Sequence, residues 1–128
     1  MNKKAILGFL LTLSITPVMA NSPAADAILE SYRQLGVMSF DAQAGQQLWK
    51  QDFDGRSCGS CHGQDLTQTG KHVKTKKTLK PMAVSVNVKR FSKEKKIEKW
   101  FKRNCKWTLG RECSPQEKGD MLTWLLVQ

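Results

Sequence analysis

The stretch Cys58-Gly59-Ser60-Cys61-His62 decides how the rest of the chain is read. Cys-x-x-Cys-His is the attachment signature of a c-type haem. The two thiols add across the two haem vinyl groups, and the histidine that follows is held under the iron, where its imidazole ligates from the proximal side. A neutral imidazole is a good iron ligand, and its other nitrogen ordinarily donates to a backbone carbonyl. The competing readings of Cys58 and Cys61 need surroundings that the sequence lacks. A thioredoxin-like dithiol sits between a strand and a helix, and no strand pattern flanks this pair. A structural zinc site wants a second close pair, whereas Cys105 and Cys113 are widely spaced.

The first residues supply the compartment. Lys3 and Lys4 precede an apolar run from Ala5 to Ile15, and Pro17-Val18-Met19-Ala20 provides the small residues of a cleavage site. Residues 1–20 are therefore expected to be a signal peptide removed after Ala20, leaving one domain over residues 21–128 in an oxidising periplasm. The apolar run is too short for a membrane span, which takes about 20 residues. In that compartment free thiols do not persist, so Cys105 and Cys113 are expected to form a disulfide around the turn Lys106–Glu112. The whole chain carries a net charge of +10, of which two positive charges lie in the leader. Such a surplus points to an acidic partner. With export and no reading motif, nucleic acid is not expected to be that partner.

Outward from the motif, the pattern is helical. Asn21–Ser31 reads as a short leading helix or a loose arm. Ala42–Phe53 reads as a helix capped by Ser39 or Asp41, with Leu48, Trp49 and Phe53 on its apolar side and Gly45 one turn before Trp49. Gly45 is expected to allow a close crossing with the last helix, where Trp49 meets Leu122 or Leu125. Gly59–Val88 shows no sustained periodicity, and a loop of that length suits one that wraps a ligand. Ser92 is expected to cap a helix from Lys93 to about Cys105, with Ile97, Trp100 and Phe101 at the i, i+3, i+4 spacing of a buried face. Ser114-Pro115-Gln116-Glu117 opens the last helix with a cap, a proline at the first helical position and a capping box. The fold class is all-α, with three to five short helices around one covalently bound haem c.

The second iron ligand separates an electron shuttle from a gas-binding protein, because a weak or absent ligand opens the iron to small molecules. Met82, after Pro81, is the default candidate, unless it merely fills a gap beside the haem. His72 lies among Lys71, Val73, Lys74, Lys76 and Lys77, the setting of a solvated loop. Asn87 could hold a turn instead. Asn104 falls seven residues after Ile97, on the expected buried stripe. From spacing alone, ordinary hydrogen bonds account for a buried amide better than iron does.

Blocks downstream of the haem motif change that balance. Pro81-Met82-Ala83-Val84-Ser85-Val86-Asn87, Arg90-Phe91, Glu98-Lys99-Trp100-Phe101-Lys102-Arg103-Asn104-Cys105 and Gly110-Arg111-Glu112-Cys113, with Gln116-Glu117-Lys118-Gly119-Asp120, resemble the sphaeroides haem protein (SHP) family from about Phe40 to Gln128. The resemblance implies a class I cytochrome c fold with one haem on Cys58, Cys61 and His62. It also implies an asparagine sixth ligand at Asn104 that leaves on reduction, and a ferrous haem that binds oxygen or nitric oxide. The family's disulfide near the haem matches Cys105 and Cys113. A dihaem cytochrome c or a membrane cytochrome b is the implied redox partner. The lysines of residues 71–80, with Lys89, Arg90 and Lys99, are expected either to ring an exposed haem edge or simply to solubilise the surface. No dedicated acid–base residue marks the chain as an enzyme, and any turnover is expected to be oxygen or nitric oxide redox chemistry at the haem.

Overall fold

A computed structural model describes residues 22–128. The expected leader over residues 1–20 lies outside the described residues. Helix α1 spans Pro23–Gln34, where the Ser22 hydroxyl accepts from the Ala25 amide and Pro23 occupies the first turn. Ala25, Ile28, Leu29 and Tyr32 form its buried stripe. The weak helical signal of this segment thus becomes a full element once that face is covered.

Helix α2, Ala42–Lys50, is capped by Asp41, whose carboxylate accepts from the Gln43 amide. It ends before Phe53 because Asp52–Gly55 turn sharply, with Asp54 at φ +56. Helix α3 is the single turn Gly59–His62 of the haem motif. The expected loop from Gly59 therefore contains structure. After α3, β1 (Gly70–Lys71) pairs antiparallel with β2 (Thr78–Leu79) in a small hairpin.

Helix α4 runs Glu94–Leu109, a turn longer than its expected end at Cys105, and stops where Gly110 adopts φ +74. Gly110 tolerates this left-handed conformation without a Cβ penalty. Lys93 rather than Ser92 is its cap residue, and it makes no side-chain cap bond. The Ser92 hydroxyl donates instead to the Lys89 carbonyl. Helix α5, Pro115–Leu125, starts with the full Ser114–Glu117 capping box. Arg111 reinforces it through a two-pronged pairing with the Glu117 carboxylate.

The most extensive helix–helix contact joins α2 and α5. Gly45 makes it possible, since a Cβ there would overlap the Asp120 carbonyl. Asp120 itself is buried and accepts from the Asp41 amide at 2.7 Å and from Gln116 at 2.7 Å. Trp49 packs in the same core as Leu122 and Leu125, and its ring lies 5.5 Å from that of Trp124. Tyr32 donates to Glu98, and Lys118 pairs with the same carboxylate at 3.0 Å, so one acidic residue on α4 ties α1 and α5 together. Cys105 and Cys113 are paired, with Cα atoms 5.6 Å apart. Among the described residues no helix is long and apolar enough to cross a membrane.

Candidate functional site

A cavity of about 980 Å³ opens between the motif turn, the segment 78–93 and α4, and its floor is reached by Trp49, Met121 and Leu125. Cys58, Cys61 and His62 all line it. The short helix explains this grouping: one turn carries residues three and four apart to the same side. Cys58 and Cys61 are not joined to each other, and both are half-buried. Burial pushes the Cys58 thiol up to about 11. Burial, with Arg90 nearby as a lesser cause, pushes His62 down to about 4, so the imidazole is neutral at pH 7. Its Nδ1 atom is buried with no hydrogen-bond partner, in contrast to the backbone partner expected for it. The Trp49 ring lies 5.5 Å from that of His62, and its indole N–H donates to the Gly63 carbonyl at 3.3 Å.

These residues fit a haem. Two unpaired thiols and a neutral imidazole face one cavity. That cavity has the size of a cofactor pocket, roughly 300–1,000 Å³. Its apolar wall comes from Ile97, Phe101, Met82 and Leu125.

Every candidate for the second ligand also reaches this cavity: Met82, His72, Asn87 and Asn104. Two of them, Asn87 and His72, make side-chain hydrogen bonds elsewhere. The Asn87 amide donates to the Pro81 carbonyl at 2.9 Å. Met82 packs partly buried against the core, with its backbone amide on the Leu66 carbonyl. His72 Nδ1 accepts from the Lys74 and Thr75 amides at 3.3 and 3.1 Å. Asn104 differs from its expected place. The buried stripe of α4 is Ile97, Phe101, Cys105 and Thr108, while Trp100 and Asn104 are exposed. Asn104 lies on a second stripe, with Lys93, Lys96, Trp100, Arg103 and Trp107, which faces the cavity. The core takes the helix face rotated slightly past Asn104. The spacing of the two tryptophans with Asn104 was the signal for this second face.

Of the cations expected around a haem edge, Lys80, Lys89 and Arg90 line the cavity, joined by Lys93, Lys96, Arg103 and Lys106. Lys71, Lys74, Lys76, Lys77 and Lys99 are not in its wall. Among the described residues no Asp or Glu lines it.

Residues 35–125 match a family described as "Domain of unknown function (DUF1924)". The chain is 34% identical over 117 residues to the cytochrome c-type protein SHP of Cereibacter sphaeroides, covering 88% of this chain and 90% of that one. The chain belongs to the SHP family. Its fold superimposes on a structure of oxidised SHP, described as an oxygen-binding cytochrome c, with a TM-score of 0.77 at 34% identity, covering 84% of this chain and all of the other. The solution structure of cytochrome c'' from Methylophilus methylotrophus, described as giving insight into haem-ligand detachment, matches with a TM-score of 0.68 at 28% identity. That match covers 81% of this chain and 93% of the other. The fold of this SHP-family chain is thus the all-α class I cytochrome c type, and its cofactor is covalently bound haem c.

Proposed function

We propose that this monohaem cytochrome holds Asn104 as a redox-labile sixth ligand and binds small diatomic molecules, oxygen or nitric oxide, when reduced. Cys58 and Cys61 would anchor the haem, and His62 would ligate its iron. The bound haem supplies one-electron chemistry and an iron site whose ligand affinity depends on oxidation state. The carrying observation is that Asn104 lines the same cavity as Cys58, Cys61 and His62.

Two features of the chain support this assignment over its rivals. Two backbone N–H groups donating to Nδ1 hold the His72 ring in the turn that joins β1 and β2. Asn104 also sits beside Cys105, whose link to Cys113 fixes the last turns of α4 to the start of α5. The amide can therefore leave and return without the helix moving. An amide oxygen is a hard, weak donor that suits ferric iron, so reduction favours its release. The released amide then offers a hydrogen bond to whatever occupies its place.

Export by residues 1–20 would put the protein in the periplasm, where the Cys105–Cys113 pair is stable. The cationic cavity rim would receive an acidic redox protein, a dihaem cytochrome c or a membrane cytochrome b. Carbon monoxide and oxygen titrations of the reduced holoprotein test the reading. Saturable binding of both gases supports it. A reduced protein that ignores both is a plain electron shuttle, with Met82 the first ligand to replace.

A further inference from the structure

Arg90 is a cation of the cavity wall that backbone carbonyls hold in place. Its Nε donates to the Pro81 carbonyl at 3.1 Å. Its Nη2 donates to the Lys80 and Pro81 carbonyls, each at 2.7 Å. The turn that aims it is itself fixed. The Arg90 amide bonds the Asn87 carbonyl at 2.8 Å, and Phe91 follows at φ +60, a left-handed conformation unusual for a bulky residue. The Ser22 hydroxyl secures this turn by donating to the Phe91 carbonyl at 2.7 Å. Neutral carbonyls satisfy three N–H groups and leave Nη1 free, and among the described residues no carboxylate pairs with the guanidinium. Burial lowers its proton affinity. It lies close enough to His62 to act on that imidazole.

A half-buried, immobilised guanidinium with a free N–H, in a cavity whose wall has no acidic residue, calls for an anion from the occupant. Haem carries two propionate carboxylates, and a planar guanidinium matches a carboxylate better than a mobile ammonium does. We infer that Arg90 binds a haem propionate through Nη1 and that its fixed positive charge favours the ferrous state. The inference rests on the haem c assignment and is independent of which residue is the sixth ligand. Removing the charge leaves a propionate uncompensated near the iron, which stabilises the ferric state.

The test compares wild-type holoprotein with R90Q, R90K and K99Q by spectroelectrochemical titration and by resonance Raman spectroscopy of the propionate bending modes. A haemochrome assay first establishes covalent haem in each, so failure of the haem assignment would show before any comparison. The expected result is a lower midpoint potential and a propionate band at lower frequency in R90Q. R90K should recover most of the potential but not the band. K99Q, which removes an exposed positive charge outside the cavity wall, should leave both where they are. An unchanged potential and band in R90Q, or an equal shift in K99Q, would overturn the inference. Should R90Q not accumulate, R90K carries the test, and an unmoved band there has the same force.

Discussion

Gly70 packs against the haem motif so tightly that a Cβ at position 70 would overlap the Cys61 carbonyl oxygen and crowd His62 Cα. The hairpin of β1 and β2 is therefore the support against which the motif turn is set. Backbone cannot yield as a flexible side chain does, so Gly70→Ala should displace α3. It is expected to reduce the fraction of chain carrying covalent haem and to lower stability by about 1–3 kcal/mol, the usual range for overpacking. Gly45→Ala meets Asp120 backbone in the same way at the α2–α5 crossing, remote from the motif. It should cost comparable stability while leaving the haem absorption bands in place. Denaturant titration and the Soret spectrum of the two variants distinguish these roles.

Acid should destabilise the protein through His62. The unfolded side chain takes up a proton near pH 6.5, whereas burial delays this in the folded state to about pH 4. The unfolded state therefore binds more protons across that window, and stability falls as pH falls from 6.5 to 4. With the imidazole free of iron, the loss at pH 5 is about 2 kcal/mol by proton linkage. Iron ligation competes with the same proton and acts in the same direction. Equal melting temperatures at pH 7 and pH 5 would contradict the effect.

The Cys105–Cys113 link closes a short loop directly after Asn104. Cys113→Ser should cost about 2–3 kcal/mol in the chain-entropy model. It should also loosen the last turns of α4, so the ferric spectrum is expected to become temperature-dependent in the variant and not in the wild type. Loss of stability with an unaltered ferric spectrum would separate the disulfide from ligand positioning.

Seven Lys and Arg side chains in the cavity wall give an approaching acidic protein a directed encounter. Electron transfer from such a partner should be fast at low ionic strength and fall steeply with added salt. A replacement of Lys89, Lys93 and Lys96 by Gln should flatten that salt dependence in stopped-flow measurements. A rate insensitive to salt in the wild type would remove the steering role.

What could be read beforehand follows the range of the physics. The haem motif and the Ser114–Glu117 capping box depend on residues within five positions of one another, so the sequence carries them whole. Gly45 was legible because a glycine one turn from Trp49 needs a neighbour that comes close. Other features depend on contacts distant in sequence. The register that buries Phe101 and Cys105 and exposes Trp100 and Asn104 depends on α1, which packs against α4, not on α4 alone. The two-residue strands of the hairpin are too short for any periodicity. Arg90 read as one more surface cation because its partners are the carbonyls of Lys80 and Pro81, which no side-chain pattern announces. Asn104 is marked by family resemblance, whereas spacing alone assigns it to the core.

Asn104 as a ligand that leaves on reduction is tested most directly by the iron spin state in each oxidation state, read by absorption and resonance Raman spectra of wild type and Asn104→Ala. The expected result is a wild-type protein that is six-coordinate when ferric and five-coordinate, high-spin when ferrous. The variant should differ from it in the ferric state and match it in the ferrous state. A wild-type protein that stays six-coordinate and low-spin after reduction, or a variant with an unaltered ferric spectrum, would contradict the assignment.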